Sequence, residues 1–193
     1  MGYQVILISG KQGSGKTTLS SAITEKLQEE SALRVYELSF ASVIYEMHDA
    51  VRNIGYNYGI PLKEPKDGPL LQLLGTEWGR NTISEDVWVK AAQAKVLKIL
   101  ERYELAPAMP IFIFGDTRFE NELAAFPEAL KVRLECEKDR RKHRVSMWRD
   151  KDDHPSEVSL DKAHETGKFD LELNTGILSP EICAERVLER LSV

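Results

Sequence analysis

Short apolar runs alternate with segments of helical periodicity along this chain. Predicted strands cover residues 5–8, 34–38, 111–114, 129–136 and 169–174. The first and third runs are wholly apolar, which is typical of strands buried on both faces of a parallel sheet. Helical spacing of apolar residues follows over 19–27, 42–53, 70–79, 85–103 and 120–126, and again after Ser179 and Pro180. This alternation predicts a three-layer α/β fold, with a central parallel sheet and helices on both faces.

The sequence indicates no internal repeat, low-complexity linker or domain boundary. Residues 55–69 form the longest loop-like stretch, rich in Gly, Pro and polar residues, and they are too many for a plain connection. A length of 193 residues suits one domain with a sizeable core. We therefore expect a single domain over residues 1–193.

Composition and charge narrow the class of protein. The net charge of −5 gives no general basic surface for bulk nucleic-acid binding. No apolar run approaches the length of a membrane span, and the N-terminus leads directly into a strand pattern without room for a signal peptide. Cys136 and Cys183 match neither a disulfide framework nor a zinc site. We expect a cytoplasmic protein without a membrane partner; for a phage-encoded protein this means the host cytoplasm.

Residues 10–17, GKQGSGKT, satisfy the pattern G-x-x-x-x-G-K-[ST] between a predicted strand and a predicted helix. Backbone N–H groups in such a loop point at phosphate oxygens, and glycine tolerates the backbone angles that this requires. The side chain of Lys16 is expected to reach the β- and γ-phosphates, and the hydroxyl of Thr17 to bind Mg²⁺. The predicted contacts to a nucleoside triphosphate are Gly10, Gln12, Gly13, Ser14, Gly15, Lys16, Thr17 and Thr18.

Asp116 follows the apolar run 111–114 at what should be the carboxyl end of a strand. Ligands of open parallel sheets bind at that edge. Asp116 is therefore a candidate to orient Mg²⁺ or to accept a proton from an acceptor, against the alternative of a turn-forming residue. Arg118 suits phosphate or base recognition, or else a surface salt bridge.

Seven Lys or Arg residues and two acidic residues lie between Lys138 and Lys151. Arginines that close over transferring phosphates stabilise the charge and exclude water. We call residues 138–153 the lid segment, with Arg140 and Arg144 as catalytic candidates, Arg141 as a nucleotide contact and Arg149 in support. A solvated helix face and a nucleic-acid contact remain open as alternatives.

Polar and aromatic residues cluster on the middle helices, within residues 55–103. A tryptophan can stack on a base and a glutamine can read a base edge, although Trp is usually a core residue. The candidate acceptor contacts there are Gln72, Gly75, Thr76, Arg80 and Trp88. His154 to Glu157 is interpreted as a turn that starts a helix.

These residues together resemble the bacteriophage-type deoxynucleoside monophosphate kinases. The matching segments occur in the family's order from the N-terminus to the final helix: the phosphate loop, Leu71–Arg80, Trp88-Val89, Gly115–Glu122, His154–Glu157, and Phe169-Asp170 leading to Asn174–Gly176. The resemblance implies a nucleoside-monophosphate-kinase-like P-loop fold, ATP as the donor and an arginine-rich lid. We expect Mg²⁺ as the metal, and a monomer or homodimer. It implies a deoxynucleotide acceptor contacted at Gly75, Thr76, Trp88, Asp116, Arg118 and Glu122.

This chain differs from the family in a segment that is expected to bind the acceptor. Gly68-Pro69 stands where family members often carry an arginine before the Leu-Leu-Gln run. We expect in-line transfer of the γ-phosphate of ATP to a deoxynucleoside monophosphate, with no covalent intermediate. A hydroxymethylated pyrimidine in DNA, such as 5-hydroxymethyluracil, remains an alternative acceptor, and a non-kinase P-loop ATPase remains an alternative function.

Overall fold

Five parallel strands form one sheet in the described part of the chain. The structure is a computed structural model that describes residues 2–28, 33–60, 66–103, 109–146, 148, 150 and 154–191. The strands are β1 (Gln4–Gly10), β2 (Leu33–Leu38), β3 (Met109–Phe114), β4 (Leu130–Glu135) and β5 (Leu171–Asn174), in the order β2-β3-β1-β4-β5. Every neighbouring pair is parallel, so the carboxyl ends of all five strands meet at one edge.

Helices connect these strands and divide between two compact units. They are α1 (Lys16–Gln28), α2 (Ser42–Asn57), α3 (Gly68–Gln72), a π-helix (Leu73–Ile83), α4 (Val87–Tyr103), α5 (Glu120–Leu123), α6 (Lys138–Arg144), α7 (Pro155–Val158), α8 (Asp161–Glu165) and α9 (Pro180–Leu188). Unit 1 consists of residues 1–38 and 99–193 and contains the whole sheet. Unit 2 consists of residues 39–98, so the boundary falls within α4.

Alternate side chains of the central strands pack on opposite faces of the sheet in unit 1. On one face, Ile6 and Ile8 of β1 and Ile113 of β3 form a buried cluster with residues of α1 and α9. On the other face, Phe114 stacks on Phe126 with ring centroids 5.3 Å apart. A second cluster, Leu123, Leu160, Ala163 and Phe169, comes from α5, α8 and their neighbouring loops. The predicted layering of helices around a parallel sheet is confirmed.

The end of the chain folds as its local sequence indicates. The Ser179 side chain accepts from the N–H of Ile182 at 3.4 Å, and Pro180 occupies the first turn of α9. His154 caps α7 in the same way, with Pro155 next to it. These caps are encoded locally, because a side-chain oxygen or nitrogen and a proline act within four residues.

The middle of the chain departs from the sequence-based boundaries. The single helix predicted over 70–79 is the short α3 followed by the π-helix. Trp88 explains the altered path: its indole N–H donates to the carbonyl of Gly75 at 2.7 Å, and its ring lies against Gly79, where a Cβ would approach it to 2.3 Å. The helix predicted over 120–126 ends at Leu123, and Pro127 disfavours helical geometry at the residue before it.

Residues 61–65 of the predicted long loop lie outside the described residues, as do Arg149 and residues 151–153 of the lid segment. Helix α2 continues to Asn57, so the part of that loop before residue 58 is helical. Across the described ranges, no helix has the length and apolarity that crossing a bilayer would need.

Candidate active site

The carboxyl edge of the sheet gathers four loops of unit 1. The phosphate loop follows β1, the turn at Asp116 follows β3, helix α6 begins shortly after β4, and Thr175 follows β5. They surround a cavity of about 630 Å³. The predicted site residues that line this cavity are Gln12, Gly13, Gly15, Lys16, Thr17, Thr18, Asp116, Arg118 and Arg144. Residues that are far apart in sequence therefore lie together at the edge where α/β ligands bind.

The phosphate loop has the backbone that its glycines predict. Gly10, Gly13 and Gly15 have φ values of 147°, 77° and 95°. A Cβ at Gly13 would lie 2.8 Å from the carbonyl oxygen of Arg141, so α6 packs closely on the loop. Ser14 is buried, and its carbonyl accepts from the hydroxyl of Thr175 at 2.7 Å. Contacts from α6 and from the end of β5 thus support the loop on two sides.

Lys16 opens α1 with its ammonium folded back over the loop. Its Nζ donates to the carbonyls of Gly10 at 2.5 Å and Lys11 at 3.1 Å. The pKa of Lys16 is lowered to about 8: burial is the largest cause, the positive charges of Arg118 and Arg133 act in the same direction, and Glu157 and Asp116 act in the opposite direction. A buried ammonium beside other cations is stabilised by a bound anion. The residues present therefore fit the polyphosphate of a nucleoside triphosphate.

Nucleotide binding should restore the proton of Lys16. At pH 8.5 a group of pKa near 8 is mostly neutral, and phosphate oxygens next to it raise that pKa, so binding takes up roughly 0.7 proton. Calorimetry of ATP binding in two buffers of different ionisation enthalpy measures this uptake. EDTA is present to remove divalent cations, because a bound cation would lower the pKa of Lys16. In Lys16→Ala the uptake should vanish, whereas equal uptake by both proteins would contradict the assignment.

Thr17 and Asp116 both line the cavity, and they are the candidates for holding Mg²⁺. Within the described ranges, no group of three or more His, Cys, Asp or Glu side chains could hold a metal ion by itself. Mg²⁺ in phosphotransferases commonly takes one or two protein oxygens, with phosphates and water completing its shell. One hydroxyl and one carboxylate beside a phosphate loop fit that donor set.

Glu122, an acceptor contact implied by the resemblance, bonds the backbone of a turn in this structure. It is buried, and its Oε2 accepts from the backbone N–H groups of Arg118 at 2.7 Å and Phe119 at 3.1 Å. These bonds shape the turn after Asp116. Arg118 points into the cavity with 42% of its side chain exposed, and its Nη1 donates to Glu157 at 3.2 Å and to Ser156 at 3.3 Å. The acceptor role of Glu122 stays a prediction, beside an evident structural one.

The arginines of α6 contact backbone carbonyls around the phosphate loop. Arg144 donates to the carbonyl of Thr175 at 2.7 Å and lines the cavity. Arg140 donates to the carbonyl of Gly176. Arg141 is 4% exposed and donates to the carbonyls of Gln12 and Cys136, both at 3.1 Å. Arg141 thus supports the loop from the interior. A moving lid and a direct nucleotide contact by Arg141 stay predictions.

Sequence reasoning missed the apolar end of the cavity. Thr175, Leu178, Pro180 and Cys183 line it beside Thr18 and Arg144. Burial raises the pKa of the Cys183 thiol, so this cysteine is an uncharged apolar lining residue. The predicted strand that ends at Asn174 could have indicated these residues, because the loops that follow parallel strands meet at the edge of the sheet where ligands bind. This end of the cavity suits a nucleobase.

The five acceptor candidates from the middle helices all lie in unit 2. Gln72 is exposed, and Thr76 and Arg80 are half-buried. Gly75 is buried, and its carbonyl accepts from the indole N–H of Trp88. Arg80 donates to the carbonyl of Glu85 at 3.3 Å. Trp88 is 2% exposed, which favours a core role for its ring. The acceptor contacts assigned to these residues remain predictions.

Replacing Trp88 distinguishes a structural role in the core from a role in binding the acceptor. Trp88→Phe removes the indole N–H and leaves the Gly75 carbonyl without that donor, so we expect a loss of about 2 kcal/mol in the free energy of unfolding. Urea unfolding measures this loss. Trp78→Phe, at a 41% exposed position in the same unit, is the control and should be nearly neutral. An undiminished stability with a raised acceptor KM would instead indicate a base-stacking role.

Comparisons with known proteins agree with this fold. A family model described as Zeta toxin matches residues 4–58, from β1 through α2. A search of curated protein sequences finds no match. The structure of TT1252 from Thermus thermophilus aligns with a TM-score of 0.60 at 16% identity, over 98% of this chain and 96% of that one. The shikimate kinase from Bacteroides thetaiotaomicron aligns at 18% identity with a TM-score of 0.48, over 98% of this chain and 99% of that one. The shikimate kinase from Aquifex aeolicus aligns at 18% identity with a TM-score of 0.45, over 96% of this chain and 94% of that one.

The TM-score of 0.60 shows an overall fold shared with TT1252. The Zeta toxin match covers the phosphate loop and its flanking strand and helix. With the parallel sheet and the glycine-rich loop already described, the chain has a P-loop kinase fold, as its sequence predicts.

Proposed function

We propose that this protein transfers the γ-phosphate of ATP to a deoxynucleoside monophosphate. The observation that carries the proposal is that one cavity in unit 1 is lined both by Lys16 and Thr17 of the phosphate loop and by Asp116 and Arg118. A triphosphate-binding loop and a second set of charged groups share this space. A donor and an anionic acceptor can therefore meet there.

The donor half rests on the phosphate loop and the apolar end of the cavity. Backbone N–H groups of the loop and the ammonium of Lys16 would bind the β- and γ-phosphates. The base would lie against Leu178, Pro180 and Cys183, beside the guanidinium of Arg144. When bound, Mg²⁺ would neutralise charge on the phosphate oxygens, held by Thr17 with Asp116 in support.

The acceptor half rests on Arg118 and Asp116. Arg118 is partly exposed in the cavity and offers a planar guanidinium to a phosphate. A phosphate oxygen of the acceptor would attack the γ-phosphorus, and the bond from that phosphorus to the β–γ bridging oxygen would break. The products are ADP and a deoxynucleoside diphosphate. A dianionic phosphate needs no general base, so Asp116 has no proton to remove from this acceptor.

The alternative acceptor, unlike a dianionic phosphate, carries a proton that must be removed. A hydroxymethyl group of a pyrimidine in DNA must lose its proton during attack, and Asp116 would then act as the base. The alternative rests on the sequence, in which Gly68-Pro69 replaces an arginine expected for an acceptor phosphate. An Asp116→Asn variant therefore distinguishes the two acceptors, provided that Mg²⁺ affinity is measured alongside.

A transfer assay with γ-labelled ATP and Mg²⁺ tests the proposal. The acceptors are each deoxynucleoside monophosphate, plain duplex DNA, and DNA that contains 5-hydroxymethyluracil. Label in a deoxynucleoside diphosphate is the expected result and identifies the base. Label in modified DNA alone would replace the acceptor, and label released only as inorganic phosphate would indicate a P-loop ATPase.

A further inference from the structure

Two carboxylates from the segment after the lid reach the phosphate loop. Glu157 Oε2 accepts from the backbone N–H of Gln12 at 2.6 Å. Asp161 pairs with the ammonium of Lys11 at 3.2 Å and with the buried guanidinium of Arg133 at 3.0 Å. Residues 157 and 161 therefore hold two successive loop residues, although about 150 positions separate them in the sequence.

Glu157 also contacts the other half of the site. Its Oε1 accepts from Arg118 Nη1 at 3.2 Å, and the hydroxyl of Ser159 donates to the carbonyl of Arg118. Only 3% of the Glu157 side chain is exposed. Burying a carboxylate is costly unless its oxygens are bonded to donors. Here the two donors are the backbone of the phosphate loop and the guanidinium of Arg118.

We infer that Glu157 is a positioning residue that fixes the phosphate loop and Arg118 relative to each other. The inference rests on the proposed function, in which the loop binds the donor and Arg118 binds the acceptor. Glu157 acts through Gln12 and Arg118 and makes no contact of its own with the reacting atoms. One rigid carboxylate with an oxygen on each half sets the distance between donor and acceptor, and transfer rates depend steeply on that distance.

The roles of the two carboxylate oxygens of Glu157 can be tested separately by substitution. In Glu157→Gln, the amide oxygen can accept from only one of the two donors, while the NH₂ group faces the other. Gln12 donates from a fixed backbone, whereas the partly exposed Arg118 can turn away. Glu157→Gln therefore keeps the bond to the loop and loses the bond to Arg118. Glu157→Ala loses both.

The experiment measures ATP affinity by titration with a fluorescent ATP analogue, and acceptor KM and kcat by transfer. Glu157→Ala should weaken nucleotide binding about tenfold, because a hydrogen bond to a charged group is lost. Glu157→Gln should keep nucleotide affinity within about twofold and lower kcat/KM for the acceptor about tenfold. Adding Arg118→Ala to Glu157→Gln should cost no more than Arg118→Ala alone, since both act on one interaction.

Glu165→Gln is the matched control, since it neutralises an exposed carboxylate at the end of α8. It should leave all three quantities unchanged. Unchanged nucleotide affinity and kinetics in both Glu157 variants, with only a lower melting temperature, would overturn the inference. If Glu157→Ala does not fold, the Glu157→Gln result and the double variant decide. If no acceptor is found, the proposed function fails, and the nucleotide affinity of the Glu157 variants still tests the contact with the loop.

Discussion

Lys16→Ala is expected to lower phosphoryl transfer by about 10²–10³-fold while the protein stays folded. The ammonium lies over the phosphate loop and is the cation best placed for the β- and γ-phosphates. Charge on these phosphates develops during transfer, and removing one such stabilising donor commonly costs 10²–10³ in rate. Single-turnover transfer from γ-labelled ATP measures the effect without interference from product release.

The stability of the same variant provides a second readout. The pKa of Lys16 is lowered to about 8, below its value in the unfolded chain. The charged form therefore disfavours folding below pH 8, and this cost fades as pH rises from about 8 to 10.5. At pH 7, Lys16→Ala should have an unchanged or raised melting temperature.

Lys26→Ala is the matched control, because Lys26 lies in the same helix and pairs with Glu185 at an exposed position. It should leave transfer intact. Near-normal transfer by Lys16→Ala would refute the proposed mechanism. A large loss of stability would mean that the lost activity reflects unfolding.

Gly10→Ala is expected to lower the free energy of unfolding by about 4 kcal/mol. Gly10 has φ 147°, a backbone angle that alanine rarely adopts. An added Cβ would also lie 2.5 Å from Ser14 Oγ and 2.7 Å from the backbone carbonyl of Leu134. The serine can rotate, but β4 is fixed by its pairing with β1. Chemical denaturation, with a fluorescent ATP analogue as a second probe, should show both lower stability and lost nucleotide binding.

Substitutions at two other glycines separate backbone strain from steric contact as causes of the lost stability. Gly59→Ala introduces a side chain at φ 69° in open space, so it reports backbone strain alone, about 1 kcal/mol. Gly68→Ala adds a Cβ in open space without a positive φ and should be nearly neutral. Equal losses for Gly10→Ala and Gly59→Ala would show that the close contact with Leu134 contributes nothing.

The sequence by itself determined the sheet strands and the phosphate loop. The runs Val5–Ile8 and Ile111–Phe114 are buried in β1 and β3, because continuous apolar runs leave no face for water. The loop from Gly10 to Thr17 folds as predicted, since its glycines and the following helix act over a few residues. Ser179 and Pro180 start α9 for the same local reason.

Only the tertiary structure decided which charged residues bind one another. Arg141 and Arg144 look alike in sequence, yet Arg141 is buried against the carbonyl of Gln12 and Arg144 lines the cavity. Glu122 shapes a turn, and Glu157 lies 145 positions from its partner Gln12. The π-helix likewise depends on the packing of Trp88 against Gly79. Local periodicity carries no information about the contacts of Arg141 and Glu157 with Gln12, because they form only once parallel strands bring distant loops to one edge of the sheet.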